Sequence, residues 1–208
     1  MSDANSNGRG GLGSVVVFAS GNGYKSCVDY PANNSVVIAV GAFANTGVRS
    51  AYSNYGPALD IVAPSNNVGG PGAGVRTTDR MGGPGYNGSN YTSTFGGTSS
   101  ACPVVAGVAA LVLGYNSALT STEVKNLLYS TAGAIGNTNE YGAGKVDAFA
   151  ALQASGGGGG GPTCTDGVQN GQETGVACGG PDCPSCPPPT GCTGTEVTLS
   201  ITLDNYPE

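Results

Sequence analysis

A run of six glycines, residues 156–161, followed by Pro162, constrains this chain more than any other feature. Glycine has no side chain to bury and loses the most backbone entropy on folding, so such a run behaves as a flexible linker. Charge divides at the same place, because all seven Lys and Arg residues and seven of the 13 acidic residues precede it. The region before the linker is therefore neutral, and the net charge of −6 belongs to the tail.

Four segments follow from this division. They are a folded body at residues 1–155, the linker at 156–162, a cysteine-rich module at 163–187, and a proline spacer with the first strand of a truncated β domain at 188–208.

Apolar patterning in the body alternates between two kinds of element. The predicted strands are residues 14–19, 35–40 and 59–63, and the predicted helices are 103–113, one that begins with the capping-box spacing at 120–123, and 145–153. Residues 103–113 are apolar all round, which predicts a helix buried on all sides with Pro103 in its first turn. The interleaving predicts an α/β fold with a mostly parallel sheet flanked by helices.

Composition excludes several classes of function. The chain has no His, which removes every His-ligated metal site and any Ser-His-Asp triad made within the chain. A charge of −6 and a pI near 4.4 argue against nucleic acid and anionic membranes as partners. No stretch approaches the roughly 18 apolar residues of a spanning helix, so no membrane span is predicted. Residues 1–13 lack the apolar core of a signal peptide.

Residues 96–103 carry the strongest chemical signal. A polar glycine loop ends in Ser99, and a helix of small apolar residues starts at once. Unpaired N–H groups at a helix N-terminus favour negative charge, which suits a serine whose attack on a carbonyl generates an oxyanion. The alternative is that Ser99 or Thr98 simply caps the helix.

This segment resembles the nucleophile motif of the subtilisin-like serine proteases, Gly-Thr-Ser-x-Ala-x-Pro. The fixed positions are met by Gly97, Thr98, Ser99, Ala101 and Pro103. Further segments resemble the family in the same order, namely residues 15–23, 30–42, 49–57, 59–64, 120–132 and 141–148. The resemblance covers residues 8–154 and implies the subtilisin-like fold and endopeptidase activity on polypeptide substrates. Residues 10–14 and 77–79 lean toward the kexin/furin-like branch.

The resemblance also implies roles for individual residues. Ser99 becomes the acylated nucleophile and Asn22 the side-chain donor to the oxyanion, with the Ser99 backbone N–H as the second donor. The strand end formed by Ala19, Ser20 and Gly21 becomes one wall of the primary specificity pocket and pairs with substrate backbone. Close packing of small residues is the structural alternative for that strand end.

Asp29 lies in the loop 23–30, which the resemblance brings to the base of the specificity pocket. There it could select a basic side chain, although a solvated loop carboxylate is an equal alternative.

Peptide hydrolysis through a serine acyl-enzyme requires no cofactor. The resemblance also implies structural Ca²⁺, which family members often bind, without assigning it to named residues.

The chain departs from the family in one decisive respect. Subtilisin-like enzymes place their catalytic Asp, then His, then the oxyanion Asn and the Ser along the chain, and here the first two segments are absent. We expect a fragment whose partner is the missing N-terminal half of its own domain; an inactive homologue is the alternative. Without that half, core residues such as Val15, Val17 and Val37 are expected to lack cover, and the chain alone is predicted to be inactive.

Two other functional classes remain open. One is a non-catalytic scaffold that binds peptide strands along Ser20 and Gly21. The other is an extracellular adhesion or carbohydrate-binding protein whose activity lies beyond Cys192.

The tail is too poor in apolar residues to build a core, so residues 164–186 are predicted to be stapled by disulfides. They resemble short cysteine-rich repeats of secreted bacterial proteins, with Asp-Gly-x-x-Asn-Gly-x-Glu at 166–173. Zinc at the single Cys-x-x-Cys and Ca²⁺ on the acidic turn are the alternatives. Alternation at 196–204 predicts one strand of a truncated β module. The cysteines favour an oxidising compartment, hence a secreted or cell-surface protein, and the resemblance of the tail implies a bacterial source.

Overall fold

A computed structural model describes residues 1–68, 70 and 72–156 of the chain. Its elements are α1 (Ser2–Asn7), a 3-10 turn (Gly8–Gly11), β1 (Val17–Ala19), β2 (Ile38–Phe43), β3 (Ile61–Pro64), β4 (Val75–Thr78), β5 (Tyr91–Phe95), α2 (Thr98–Tyr115), α3 (Ser121–Ser130), α4 (Thr138–Tyr141) and α5 (Ala148–Ser155). The predictions for the cysteine-rich module, its disulfides and the truncated β domain lie outside the described residues.

Three parallel strands form the centre of the body in the order β1-β2-β3. The register places Val17 beside Ile38 and Val40 beside Ile61. Side chains on one face of this sheet pack against α2, α3 and α5, and those on the other face pack against the loop around Val28 and Leu59. The predicted α/β fold with a parallel sheet and flanking helices is confirmed.

The strands begin later than the sequence pattern predicted. β2 starts at Ile38 rather than Ser35, because the residues before it form a turn in which Asn34 accepts from the Val36 N–H at Oδ1 (3.1 Å) and from the Val37 N–H at its carbonyl (3.1 Å). The carbonyls of Ser35 and Val37 accept hydrogen bonds from Lys125 Nζ on α3 (2.9 and 2.7 Å). The first paired residue of β1, Val17, lies opposite Ile38, so β1 begins where β2 does.

The burial of the three valines that were expected to lack cover differs from one to another. Val37 is fully buried, so the prediction that it lacks cover was wrong. Val15 and Val17 are only partly buried and pack at the margin of the core.

Helix α2 begins at Thr98, five residues before the predicted start, so Pro103 lies inside the helix rather than in its first turn. The prediction that this helix is buried on all sides was also wrong. Val105 and Val112 are fully buried against the sheet, whereas the opposite face exposes Leu111 by 56% and Tyr115 by 53%. The described residues cover only one face of this helix.

The same helix bears on the expectation of no membrane span. Thr98–Tyr115 is long and apolar enough to cross a membrane by length and composition, and 39% of it is buried within the fold. The statement that no stretch approaches such a length was therefore wrong. A single helix of this kind is weak evidence, because the core helix of a soluble protein passes the same test.

An antiparallel hairpin of β4 and β5 lies outside the parallel sheet and was not predicted. Its strands are half exposed, so they lack the continuous apolar pattern that marks buried strands. The hairpin matters for function because β5 ends two residues before Gly97 and so leads into the predicted nucleophile.

Candidate active site

Ser99 is the second residue of α2 and is exposed at the helix N-terminus. Within the described part of the chain no hydrogen bond engages its hydroxyl. The first N–H groups of a helix have no partner inside the helix, and together with the macrodipole they favour negative charge at this position. The structure therefore presents a free hydroxyl beside groups that stabilise an anion.

The turn before Ser99 is held by four polar side chains, Tyr52, Ser65, Asn66 and Ser100, which we call the polar clamp. The Gly97 N–H donates to the Tyr52 hydroxyl (3.0 Å). The Gly97 carbonyl accepts from Ser65 (2.9 Å) and Ser100 (3.1 Å). Gly97 itself has φ 83° and ψ 165°, a conformation that is essentially restricted to glycine.

Members of the clamp also bond to one another. The Ser65 and Ser100 hydroxyls lie 2.7 Å apart, and the Tyr52 hydroxyl lies 2.8 Å from both Ser65 Oγ and Asn66 Oδ1. The two serines and Asn66 are buried, so the network is shielded from water and fixes the turn strongly. This role was not predicted, because Tyr52, Ser65 and Asn66 act on Gly97 from more than 30 positions away and carry no local signal for it.

Asn22 follows β1 and turns its amide oxygen toward the start of α2. Asn22 Oδ1 accepts hydrogen bonds from the Thr98 backbone N–H (2.8 Å) and from the Thr98 hydroxyl (2.9 Å). Thr98 is fully buried, so both donors are fixed. Two bonds use both lone pairs of this oxygen. The amide nitrogen is thereby left to donate elsewhere, and nothing in the described ranges accepts from it.

The Asn22 amide nitrogen and the Ser99 backbone nitrogen border the same small space. A Cβ atom placed on Gly97 would lie 3.5 Å from Asn22 Nδ2 and 3.7 Å from the Ser99 nitrogen. Glycine at this position keeps the space open. An acyl-transfer oxyanion needs N–H donors beside the nucleophilic hydroxyl, and the roles of Asn22 as oxyanion donor and Ser99 as nucleophile stay predictions.

Asn54 positions the loop that carries Asn22. Its side chain is buried, donates from Nδ2 to the Ser20 carbonyl (3.0 Å), and accepts at Oδ1 from the N–H groups of Gly23 (2.9 Å) and Lys25 (3.0 Å). One asparagine thus fixes the chain on both sides of Asn22. Asn54 lies in the family-like segment 49–57, but no role was predicted for it.

The predicted substrate-binding strand end is tightly held. Ala19 closes β1, and the Ser20 side chain is buried and donates to the Asn54 carbonyl (3.2 Å). The Gly21 carbonyl accepts from the Asn54 N–H (2.9 Å), and Gly21 has φ 104°. The carbonyls of Ser20 and Gly21 therefore each hold one hydrogen bond already and keep one lone pair for a substrate N–H. Their substrate-binding role stays a prediction.

Asp29 is paired rather than free. Its carboxylate lies 2.6 Å from Lys25 Nζ, and both side chains are more than half exposed. The hydrogen bond from Lys25 to Asp29, with their mutual attraction, raises the pKa of Lys25 above its ordinary value. A basic substrate side chain would have to compete with Lys25 for this carboxylate, so selection of basic residues by Asp29 stays a prediction.

An open cavity of about 410 Å³ is lined by Asn22 but not by the strand end at residues 19–21. Its walls include Tyr52 of the clamp, Gly97, and the aromatic rings of Tyr86 and Phe95. Among the described residues, no cluster of three or more His, Cys, Asp or Glu side chains could hold a metal ion.

Comparison with known proteins identifies the family. The model of the subtilase family, Peptidase S8, matches residues 1–144, which is more than half of the chain. The chain belongs to the subtilase family. The matched region of this subtilase contains the three parallel strands, the β4–β5 hairpin, Asn22 and Ser99.

Relatives of this subtilase are proteases. It is 42% identical over 175 residues to a calcium-dependent protease of Trichormus variabilis, covering 74% of this chain and 26% of the relative. It is 43% identical over 141 residues to subtilisin BL of Lederbergia lenta, covering 68% of this chain and 47% of the relative. A solved protease structure from Pseudoalteromonas arctica matches with a TM-score of 0.60 and 34% identity, covering 68% of this chain and 43% of that one. The chain thus spans between about a quarter and a half of the length of these relatives.

Proposed function

We propose that this chain supplies the nucleophile and the oxyanion site of a serine endopeptidase that cleaves polypeptides through an acyl-enzyme on Ser99. One observation carries the proposal. Thr98 uses both lone pairs of Asn22 Oδ1 and leaves Asn22 Nδ2 to donate elsewhere, and the Asn22 amide and the Ser99 backbone nitrogen both lie within 4 Å of the position that a Cβ on Gly97 would take.

The chemistry follows from this geometry. Ser99 Oγ attacks the carbonyl carbon of the scissile peptide bond, and the carbonyl oxygen becomes an oxyanion that accepts from Asn22 Nδ2 and the Ser99 N–H. Collapse of this intermediate expels the amine of the leaving peptide, and water then hydrolyses the acyl-enzyme. The Ser99 hydroxyl proton needs a base that later protonates the leaving amine. The chain has no His, so we place that base and its Asp partner on polypeptide outside these 208 residues.

A second candidate is a non-catalytic subtilase that binds peptides without cleaving them. The absence of His from the whole chain favours it. The extracellular adhesion alternative gains no support from the described residues.

A fluorophosphonate probe, which reacts with activated serines, separates the two candidates. We expect no labelling of this chain alone and labelling of Ser99 in the product of the whole gene, located by mass spectrometry. The matched Ser99→Ala variant of that product should remain unlabelled. A folded whole-gene product that binds peptides but resists the probe would overturn the endopeptidase proposal and favour the scaffold.

Asn22 offers a quantitative test in the same whole-gene product. Loss of one oxyanion donor lowers kcat by about 10²–10³, so Asn22→Ala should show a fall of that size with little change in KM. The control is Asn33→Ala, because Asn33 is an exposed asparagine whose side chain has no hydrogen-bond partner within the described ranges. Equal kinetics for the two variants would remove Asn22 from the oxyanion site.

Four further properties concern location, disulfides, lineage and metal binding. We propose secretion, disulfides in the cysteine-rich tail and a kexin/furin-like lineage from the sequence patterns alone. Structural Ca²⁺ is supported by the name of the calcium-dependent relative.

A further inference from the structure

Three Asn-Gly pairs lie in the described part of the chain, and the structure gives them different surroundings. They are Asn7-Gly8 at the end of α1, Asn22-Gly23 after β1, and Asn87-Gly88 in the loop between β4 and β5. Because glycine has no Cβ, its backbone nitrogen can approach the amide carbon of the asparagine before it. Each pair can therefore close a succinimide ring, provided that the glycine nitrogen is free to react.

Two of the three glycine nitrogens are held by hydrogen bonds. The Gly8 N–H donates to the Ala4 carbonyl at the end of α1. The Gly23 N–H donates to Asn54 Oδ1 (2.9 Å), and Asn54 is buried. Each of these bonds has to break before the nitrogen can attack the neighbouring amide, and breaking it costs free energy.

The Gly88 nitrogen is in a different situation. Within the described ranges no acceptor binds its N–H, and both Asn87 and Gly88 are exposed, so water and hydroxide reach it directly. The Asn87 side chain is at the same time folded toward the backbone that follows it, because Oδ1 accepts from the Ser89 N–H (2.7 Å). An N–H that donates to a carbonyl oxygen stabilises the negative charge that this oxygen gains when its carbon is attacked.

We propose that Asn87 is a site of spontaneous deamidation, a modification that does not depend on the proposed peptidase function. The Gly88 nitrogen loses its proton to hydroxide and attacks Asn87 Cγ. The new N–C bond forms, the Cγ–Nδ2 bond breaks, and Nδ2 leaves as ammonia with a proton from water. A water molecule then adds to either carbonyl carbon of the succinimide and opens the ring to aspartate or isoaspartate.

The product changes the loop between β4 and β5. Asn87 Nδ2 donates to the Tyr91 carbonyl (3.1 Å) at the start of β5, and a carboxylate has no proton to donate there. The Asp79 carboxylate already accepts from the Asn87 backbone N–H (3.1 Å), so the modification adds a negative charge to a residue that another carboxylate contacts. Deamidation therefore removes a bridge across the loop and should loosen the start of β5.

Mass spectrometry of the aged chain tests this inference. The folded 208-residue chain is kept for days in mildly alkaline heavy-oxygen water, returned to ordinary water and digested with trypsin, which leaves Asn7, Asn22 and Asn87 on three different peptides. We expect fragmentation to locate at residue 87 a carboxylate that carries one solvent oxygen. An isoaspartyl methyltransferase should label the same peptide, because succinimide opening yields isoaspartate. Asn7 and Asn22 should react about two- to tenfold more slowly, the factor that one hydrogen bond on the attacking N–H contributes.

Gly88→Ala is the matched control. An added Cβ at this position would meet nothing within 4 Å, so the variant should fold normally, as circular dichroism can verify. It restricts the backbone movement that brings the nitrogen to Cγ, so Asn87 should react several-fold more slowly. In strong denaturant the three Asn-Gly sites of the unmodified chain should react at similar rates, since only the fold distinguishes them. Equal rates at the three sites of the folded chain, no reaction at Asn87, or an unchanged rate in Gly88→Ala would overturn the inference.

Discussion

The parallel sheet and the β4–β5 hairpin meet at the candidate active site but differ in burial. In the sheet, residues 38–42 of β2 are fully covered on both faces, and Asn22 follows the neighbouring strand β1. In the hairpin, Tyr91 and Tyr86 are more than half exposed, and the chain runs directly into the turn before Ser99. The difference indicates that the sheet provides stability and fixes the chain before Asn22, the proposed oxyanion donor, whereas the more exposed hairpin leads into the turn before Ser99, the proposed nucleophile.

Removal of a large side chain from the sheet should have the largest effect, because it should lower stability far more than the same kind of change in the hairpin. Ile61 on β3 is fully buried in the core that α2 covers, so Ile61→Ala should lower the free energy of unfolding by about 2–5 kcal/mol. The hairpin counterpart, Val75→Ala on β4, removes a partly exposed side chain and should cost about 1 kcal/mol or less. Urea denaturation followed by circular dichroism measures both. Similar losses would show that the two regions contribute equally to stability.

The glycine turn where the regions meet should give the next largest effect. Gly97→Ala forces a side chain into a conformation restricted to glycine and should cost about 1–3 kcal/mol of stability. The added Cβ would also narrow the space between Asn22 and Ser99. The matched change is Gly107→Ala on α2, which meets nothing within 4 Å and should stabilise the helix by up to about 1 kcal/mol. Thermal denaturation measures the Tm of both variants. A shift of both Tm values in the same direction would contradict the special requirement for glycine at position 97.

The contact between Thr98 and Asn22 joins the end of β1 to the start of α2. Thr98→Val keeps the backbone bond to Asn22 Oδ1 but removes the hydroxyl bond, so the amide should hold its orientation less firmly. A net hydrogen-bond contribution of about 0.5–1.5 kcal/mol corresponds to a two- to tenfold fall in kcat of the whole-gene product.

A smaller effect on KM and rescue by Thr98→Ser would identify Thr98 as a positioning residue. An unchanged kcat for Thr98→Val would show that the backbone bond alone orients Asn22.

These two regions also show what the sequence could predict. Two continuous apolar runs and a weaker third, interrupted by Asp60, predicted all three strands of the sheet, because strands of a covered parallel sheet leave a local pattern. The capping box predicted at Thr120 is confirmed, since its hydroxyl and the Glu123 carboxylate form both reciprocal hydrogen bonds. The capping box joins residues that are close in sequence, and the strands are segments whose successive residues all have to be apolar. Both therefore leave a local pattern.

The residues that hold the loops of the candidate active site could not be predicted from local sequence patterns. Asn54 and Tyr52 act on residues more than 30 positions away, and nothing local distinguishes them from other polar or aromatic loop residues. The hairpin strands escaped detection because their half-exposed positions mix polar and apolar side chains. The late start of β2 was likewise not predicted, and the bonds from Lys125 to the Ser35 and Val37 carbonyls join residues too far apart in sequence to leave a local pattern.

The smallest predicted effect concerns the acid sensitivity of the hairpin loop. Desolvation acts to raise the pKa of Asp79, but backbone N–H groups of Tyr86, Asn87 and Arg80 outweigh it and hold the pKa below the ordinary value of 3.8. Because the folded-state pKa is the lower one, the stabilisation is fully present above about pH 3.8 and is lost as pH falls through the folded value. The loop should therefore loosen in acid before the sheet does.

Amide chemical shifts from NMR measure this difference directly. The N–H signals of Tyr86 and Asn87 should titrate together below pH 3.8, whereas those of Val40 and Ile61 in the sheet should stay constant. The matched Asp79→Asn variant keeps the shape of the side chain but cannot titrate, so its loop signals should be flat over the same range. Titration of the loop signals in that variant would assign the acid response to another carboxylate. Simultaneous titration of the sheet signals would mean that the hairpin and the sheet open as one unit.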